Sequence, residues 1–464
     1  MTDTAVVEKK LTARPTTAMV EAISALLHEP DWLRDHRLAA LARYEASQWP
    51  RDIDRTWRRT PLKAAPLEAW QLPDGAGSAP AGLAALAGSE RGGVITHVDG
   101  GAVDQELAEE LATKGVLLLP LSEAARDHEA LVRPHLNSVA PLDDPTPGNA
   151  RFGALSAALW TQGVFVYIPR DVVVDETLYH LMSKTTRGAG IFGHSLIVVE
   201  AGAMVTVVEA ALSDSPAEDT AEPSLALRTV EVIAGDGAQV KIVGLNRWGN
   251  DVHAFTTVRG SLGRGTQVTA GSAVFGGRLH REEISFEVGQ AGSSPTSGAA
   301  DGSHLELLGV FVGSGRQHIE HNTYQVHDAP GGTSALTIKG ALDDDSTAVQ
   351  YGTIRITPNG QRTTSEQTMR DLLLSDGASA EPIPILEIEA DDVKCAHAAA
   401  VGPVTPEHLF YLESRGIDPP TAERMVVQGF LTELVDQFPD THTREIITGL
   451  VDTHLQDERD SQSD

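Results

Sequence analysis

Apolar residues recur at helical spacing in Ala18-Met19-Val20-Glu21-Ala22-Ile23-Ser24-Ala25-Leu26-Leu27 and again from Leu33 to Tyr44, which predicts two N-terminal helices. From Gln71-Leu72-Pro73-Asp74-Gly75 to about residue 92 the chain turns to Gly, Pro, Ser and Ala, the texture of a linker or exposed loop. Beyond residue 150 the pattern changes. Short β-branched runs such as Leu196-Ile197-Val198-Val199 and Val205-Thr206-Val207-Val208-Glu209 flank a Gly-centred turn, and the same unit returns around Gly237 and Gly265. Many short strands without helices between them exclude a doubly wound α/β sheet. A sandwich is compatible with this, but a recurring strand–turn–strand unit fits a β-solenoid better, because each coil buries its apolar face by stacking on the next.

After Val404 helical periodicity resumes. Pro406 suits a first helical position, with Thr405 as a weak N-cap, and Met425, Val426, Phe430, Leu431, Leu434 and Val435 share one stripe within 421–438. The expected fold class is mainly β, with helices at both ends. The expected divisions are a mostly helical 1–150 with a linker near 71–92, a β core over 151–402, a helical 403–455 and a charged tail over 456–464. The length of 464 residues allows roughly three domains.

Charge narrows the partners. Thirty-six Lys and Arg against 65 Asp and Glu leave a formal charge of −29, which repels phosphate backbones and anionic lipid. A single cysteine, Cys395, excludes a disulfide framework, a four-cysteine zinc site and an iron–sulfur cluster held by this chain's thiolates alone. No run of signal-peptide or membrane-spanning length is evident, so the expected location is the cytoplasm.

Three motifs have chemical potential. Gly188-Ala189-Gly190-Ile191-Phe192-Gly193 matches a dinucleotide fingerprint literally, but a strand follows it where a helix is required. No phosphate-cradling Walker loop occurs, so the chain is not itself an ATPase of that type. His318-Ile319-Glu320-His321, with His327 nearby, sits among glycines that favour strand and loop. The plainer reading there is surface or turn histidines. In Asp391-Asp392-Val393-Lys394-Cys395-Ala396-His397 an extended backbone places Cys395 and His397 on one face, their Cα atoms about 6.6 Å apart. Thiolate plus imidazole suits iron, with further ligands from elsewhere; the bland alternative is a buried thiol beside a satisfied histidine.

That segment belongs to a longer pattern. Leu372-Leu373-Leu374-Ser375, Leu386-Glu387-Ile388, Asp391 to His397, Val401-Gly402 and Leu409-Phe410-Tyr411-Leu412-Glu413-Ser414-Arg415-Gly416-Ile417 closely resemble the C-terminal signature of the SufB/SufD family. These are scaffold proteins of Suf iron–sulfur cluster assembly. Further similarity covers Phe152 to Pro169, Ser195 to Glu209, His327, Ala329-Pro330 and Ser334 to Gly340. The Cys-x-His at Cys395 and the N-terminal Trp57-Arg58-Arg59-Thr60-Pro61-Leu62 resemble the SufD branch. SufB-like chains carry an essential cysteine where this one has Gln367-Thr368-Met369-Arg370-Asp371. Ala398 and Ala400 stand where the family commonly has Gly and Thr.

The resemblance implies a right-handed parallel β-helix core between N- and C-terminal helical domains, and a non-catalytic scaffold. It implies a heterodimer with a SufB-like chain, a SufC-like ATPase docked on the C-terminal helices, and metal ligation by His397 and Cys395. No tightly bound cofactor is implied: iron or an iron–sulfur cluster would be transient at the SufB interface, and reduced flavin would associate with the whole complex. Two alternatives remain at this point. One is a SufB-like or homodimeric scaffold. The other is a β-helix enzyme acting on polysaccharide, with Asp343-Asp344-Asp345 near Arg355 and Arg362.

Overall fold

A computed structural model of the protein describes residues 14–144, 149–214, 222–289 and 302–462. The two N-terminal helices form where their spacing predicts, as α1 (Thr17–Leu26), capped by the Thr16 hydroxyl, and α2 (Asp31–Ala46). The strands are β1 (Gly93–Val98), β2 (Gly101–Leu107), β3 (Leu117–Pro120), β4 (Gln162–Ile168), β5 (Leu178–Lys184), β6 (Gly190–Val199), β7 (Met204–Ser213), β8 (Ser224–Ala234), β9 (Gln239–Arg247), β10 (Val252–Leu262), β11 (Gln267–Val274), β12 (Leu279–Val288), β13 (His304–Gly313), β14 (His318–His327), β15 (Thr333–Leu342), β16 (Thr347–Ile356), β17 (Thr364–Leu373), β18 (Ser379–Ile388) and β19 (Lys394–Pro403). Short helices α3 (Glu109–Thr113), α4 (Leu121–Asp127) and α5 (Glu129–Val132) follow the first strands, and α6 (Asn149–Leu159) precedes β4. Three helices close the chain: α7 (Pro406–Glu413), α8 (Pro419–Val435) and α9 (Thr441–Gln462).

From β4 onward the strands alternate between two sheets, even-numbered in one and odd-numbered in the other, each pairing in parallel with the strand two ahead. This is a parallel β-solenoid of about seven turns. The turn glycines Gly202, Gly237 and Gly265 all have φ near +70°, a left-handed conformation that glycine adopts without steric cost. Successive turns stack, with Gly202 N donating to Asp236 O and Gly237 N to Arg264 O.

The bore between the sheets is lined by alternate residues. Ile197, Val199, Val230, Val232, Ile284 and Phe286 face Val205, Val207, Val240, Ile242, Val268 and Leu305. Part of each outer face is covered too, which is why strands such as β6 are buried along their whole length, whereas β9 and β17 alternate buried with exposed residues. Phe152, Leu155 and Leu159 of α6 pack with Trp57 and Trp70 on Phe165, Phe192, Leu225 and Phe255 of the even sheet. Val427, Leu431 and Leu434 of α8 pack with Phe438 and Ile447 on Val243, Leu245, Leu308 and Val310 of the odd sheet.

The structure differs from the expected divisions in two places. Residues 93–120, assigned to a mostly helical domain, supply β1, β2 and β3, which extend the two sheets at their first edge. The Gly/Pro stretch near 71–92 is docked rather than free: Leu83, Leu86 and Ala87 are buried with the C-terminal helices, and His442 Nε2 lies 3.0 Å from Ala85 O. Low sequence hydrophobicity marks an absence of periodic structure there, not an absence of contacts. Gly190-Ile191-Phe192-Gly193 opens β6, as the rejection of a dinucleotide turn requires.

Candidate metal centre at the open end of the solenoid

Among the described residues no further coil stacks on the last one. Leu386 and Ile388 of β18 and Val401 of β19 are 38–40 % exposed. Residues of β17 alternate, with Ser365, Gln367, Met369 and Asp371 buried on the bore side. The β17–β19 register pairs Ser365 with Cys395 and Gln367 with His397, which places both predicted donors on the bore face of the terminal strand. β19 is a regular ten-residue strand, so Ala398 and Ala400 are accommodated without distortion.

The two donors have different surroundings. His397 is exposed. Cys395 is half-buried and packs on Ile354, Ile356 and Ala390. That burial pushes its thiol up, opposed by a backbone hydrogen bond with Ser365, so the thiol stays protonated until a metal or base claims its proton. Among the described residues no three His, Cys, Asp or Glu side chains converge on a metal position. The pair therefore offers one sulfur and one nitrogen, with the remaining coordination left to other groups.

The histidines of 318–327 are not surface or turn residues. They lie in β14, where His321 and His327 point into the bore at 1 % and 0 % exposure. Tertiary pairing buries them, and local glycines gave no sign of it. The polysaccharide-type cluster also fails to assemble. Asp343 to Asp345 precede β16, whereas Arg355 is at its far end and Arg362 beyond, so about eight residues of extended chain (~27 Å) separate them.

Sequence reasoning missed a buried ionic row inside the bore. His97 Nδ1 lies 3.1 Å from His180 Nε2, and His180 Nδ1 lies 3.0 Å from Glu209 Oε1. Arg228 donates to Glu209 Oε2 at 2.8 Å, and Asn246 Nδ2 donates to Glu282 Oε1 at 3.0 Å. His280 and His321 flank Glu282 at 3.2 and 3.4 Å. Burial pushes both carboxyls up, yet Arg228, His180 and Ser195 hold Glu209 at about 2, while His280, His321 and Ser272 do the same for Glu282. A cavity of about 30 Å³ between these carboxylates has room for water. Towards the open end, Asp371 accepts from Gln350 at 2.7 Å, and burial pushes it up to about 7. The available signal was parity: Glu209 and Arg228 occupy positions whose neighbours two residues away are inward-facing valines.

The C-terminal helices divide their apolar residues. Phe430 packs towards the solenoid, where Lys339 Nζ donates to its carbonyl at 2.8 Å. Phe410, Tyr411 and Met425 are 73 %, 58 % and 44 % exposed. No helix among the described residues is long and apolar enough to cross a membrane.

Residues 180–430 match the family model described as SUF system FeS cluster assembly, SufBD core domain, and residues 93–179 match the SufBD protein N-terminal region. The iron-sulfur cluster assembly protein SufD of Bacillus subtilis is 31 % identical over 336 residues, 72 % of each chain. An iron-sulfur cluster assembly SufBD family protein of Staphylococcus saprophyticus is 25 % identical over 446 residues, 91 % of this chain and 90 % of its own. The N-terminal match begins at residue 93, the start of β1, and the core match runs from within β5 through β19 into α8. A two-sheet parallel solenoid, with Cys395 and His397 on its terminal strand, thus belongs to a chain of the SufBD family of Suf-system iron–sulfur cluster assembly proteins.

Proposed function

We propose that this chain is a SufD-type, non-catalytic scaffold subunit that presents Cys395 and His397 to a SufB-like partner, so that iron and sulfide meet between the two chains. The observation that carries the reading is the position of both donors on the bore face of an uncapped terminal strand. A single thiol cannot hold a cluster, so the sulfur-accepting cysteines come from the partner. Iron is cargo here: His397 offers it nitrogen, and Cys395 becomes a ligand as the metal displaces its proton.

A SufC-like ATPase would dock on α7 and α8, where the exposed Phe410, Tyr411 and Met425 give an apolar contact on a module anchored to the rigid solenoid by Val427, Leu431 and Leu434. Movement of that module would reach the terminal coil through packed elements with two arrangements. Reduced flavin, if used, would act on the assembled complex, which would reside in the cytoplasm.

The test is paired. The chain is co-expressed with its SufB-like and SufC-like partners, and iron, acid-labile sulfide and melting temperature are measured on the purified complex. His397→Ala is expected to leave the complex and its melting temperature intact and to cut iron content severely, with Cys395→Ser less damaging. Normal iron loading in the His397→Ala complex would end the reading.

A further inference from the structure

Gln367 is 1 % exposed, and neither its Oε1 nor its Nε2 has a hydrogen-bond partner among the described residues. An unpaired buried amide is destabilising, and an apolar side chain of similar shape would serve the core better. Its place in the fold gives it another use. Gln367 is the register partner of His397, on the neighbouring strand about 4.8 Å away, and it shares the bore face with His397 and Cys395. Ser365, two residues earlier on that face, lies beside Cys395. On the facing sheet the opposing position is Gly352, where an added Cβ would collide with Gln367 Oε1 and Met369 Cε. A glycine there leaves the space the amide occupies, with Oε1 lying across the bore against β16, so ligation at the terminal coil requires the amide to turn towards His397. Among the described residues, the coil above the amide is the exposed terminal one.

We propose that Gln367 is a third donor of this centre, its amide Oε1 ligating, from the bore side, the ferrous iron taken up by Cys395 and His397. This rests on the functional reading above. Sulfur, imidazole nitrogen and amide oxygen from adjacent positions on two neighbouring strands form a mixed set suited to a borderline ion, one edge of which stays open for a partner's ligands. Binding replaces the Cys395 S–H bond by an S–Fe bond and releases that proton to solvent. The neutral amide adds a donor without adding charge. It also explains why an unpaired polar group persists one rung below the open end.

Cobalt(II), titrated anaerobically into the full-length chain, is the probe, because thiolate-to-cobalt absorption reports bonding at Cys395 directly. Gln367→Leu and the equally apolar Gln367→Ile, neither of which offers a donor atom, are expected to bind cobalt about ten- to hundredfold more weakly while melting no lower than the parent. Gln367→Glu, which keeps the oxygen, is expected to retain or tighten binding. Parental affinity in both apolar variants, with affinity lost in His397→Ala, overturns the role of Gln367 and leaves the functional reading standing. Unchanged affinity in His397→Ala overturns both, whereas no saturable cobalt binding to the parent chain overturns the role of Gln367 and leaves standing the functional reading, which draws its remaining ligands from the partner.

Discussion

Replacing Arg228 by Met tests whether the ionic row inside the bore is an energetically coupled unit. The guanidinium and the Glu209 carboxylate are 5 % and 2 % exposed and 2.8 Å apart. Met fills most of the same volume but leaves Glu209 with His180 and Ser195 alone. Stranding a buried charge in this way costs about 3–5 kcal/mol. The carboxyl's own titration gives a similar figure. Its depression from an ordinary 4.5 to about 2, in which burial is outweighed by Arg228, His180 and Ser195, is equivalent to about 3 kcal/mol at neutral pH. Because the folded value is the lower one, that stabilisation is complete above pH 4.5 and lost as pH falls towards 2. Chemical unfolding at pH 7, with hydrogen exchange resolved over β7 and β8, should therefore show Arg228→Met destabilised by at least 3 kcal/mol. Adding Glu209→Gln should recover much of the loss, since the amide can still pair with His180 and carries no charge. The gap from the parent should also narrow below pH 4.5. A loss under about 1 kcal/mol without rescue by Glu209→Gln would refute the coupling.

Two further outcomes follow from the same structure. Burial lowers His253 and His327 to about 4, so the unfolded chain binds protons that the folded chain refuses; stability should fall as pH drops from about 6.5 towards 4, by up to about 3 kcal/mol for each. Unfolding curves flat between pH 7 and 5 would contradict this. Phe410→Ser with Tyr411→Ser removes exposed apolar surface and one surface contact of Tyr411 with Arg415, and should abolish pull-down of the proposed SufC-like ATPase while leaving the melting temperature within about 1 °C of the parent; retained pull-down would refute docking on this surface.

Alternation and turn chemistry carry most of the fold on their own. Strands buried on both faces must be written as β-branched runs, and a tight coil needs a left-handed residue at its corner, so Val205 to Val208 and Gly202, Gly237 and Gly265 announce a solenoid before any contact is known. The terminal Cys395-Ala396-His397 is equally local, since a period of two puts both donors on one face of any extended strand. What tertiary structure alone decided is everything set by register between distant strands. Nothing near Gln367 in the chain says that His397, thirty residues later, lies beside it. Nothing near His321 says that it points at Glu282, and nothing around Leu83 says that helices more than 340 residues away cover it. Local propensity acts over a few residues, whereas coil-on-coil stacking brings together side chains about 30 residues apart with no pattern of their own between them. The elements were therefore written in the sequence, and the meeting of their polar side chains was fixed only when the coils stacked.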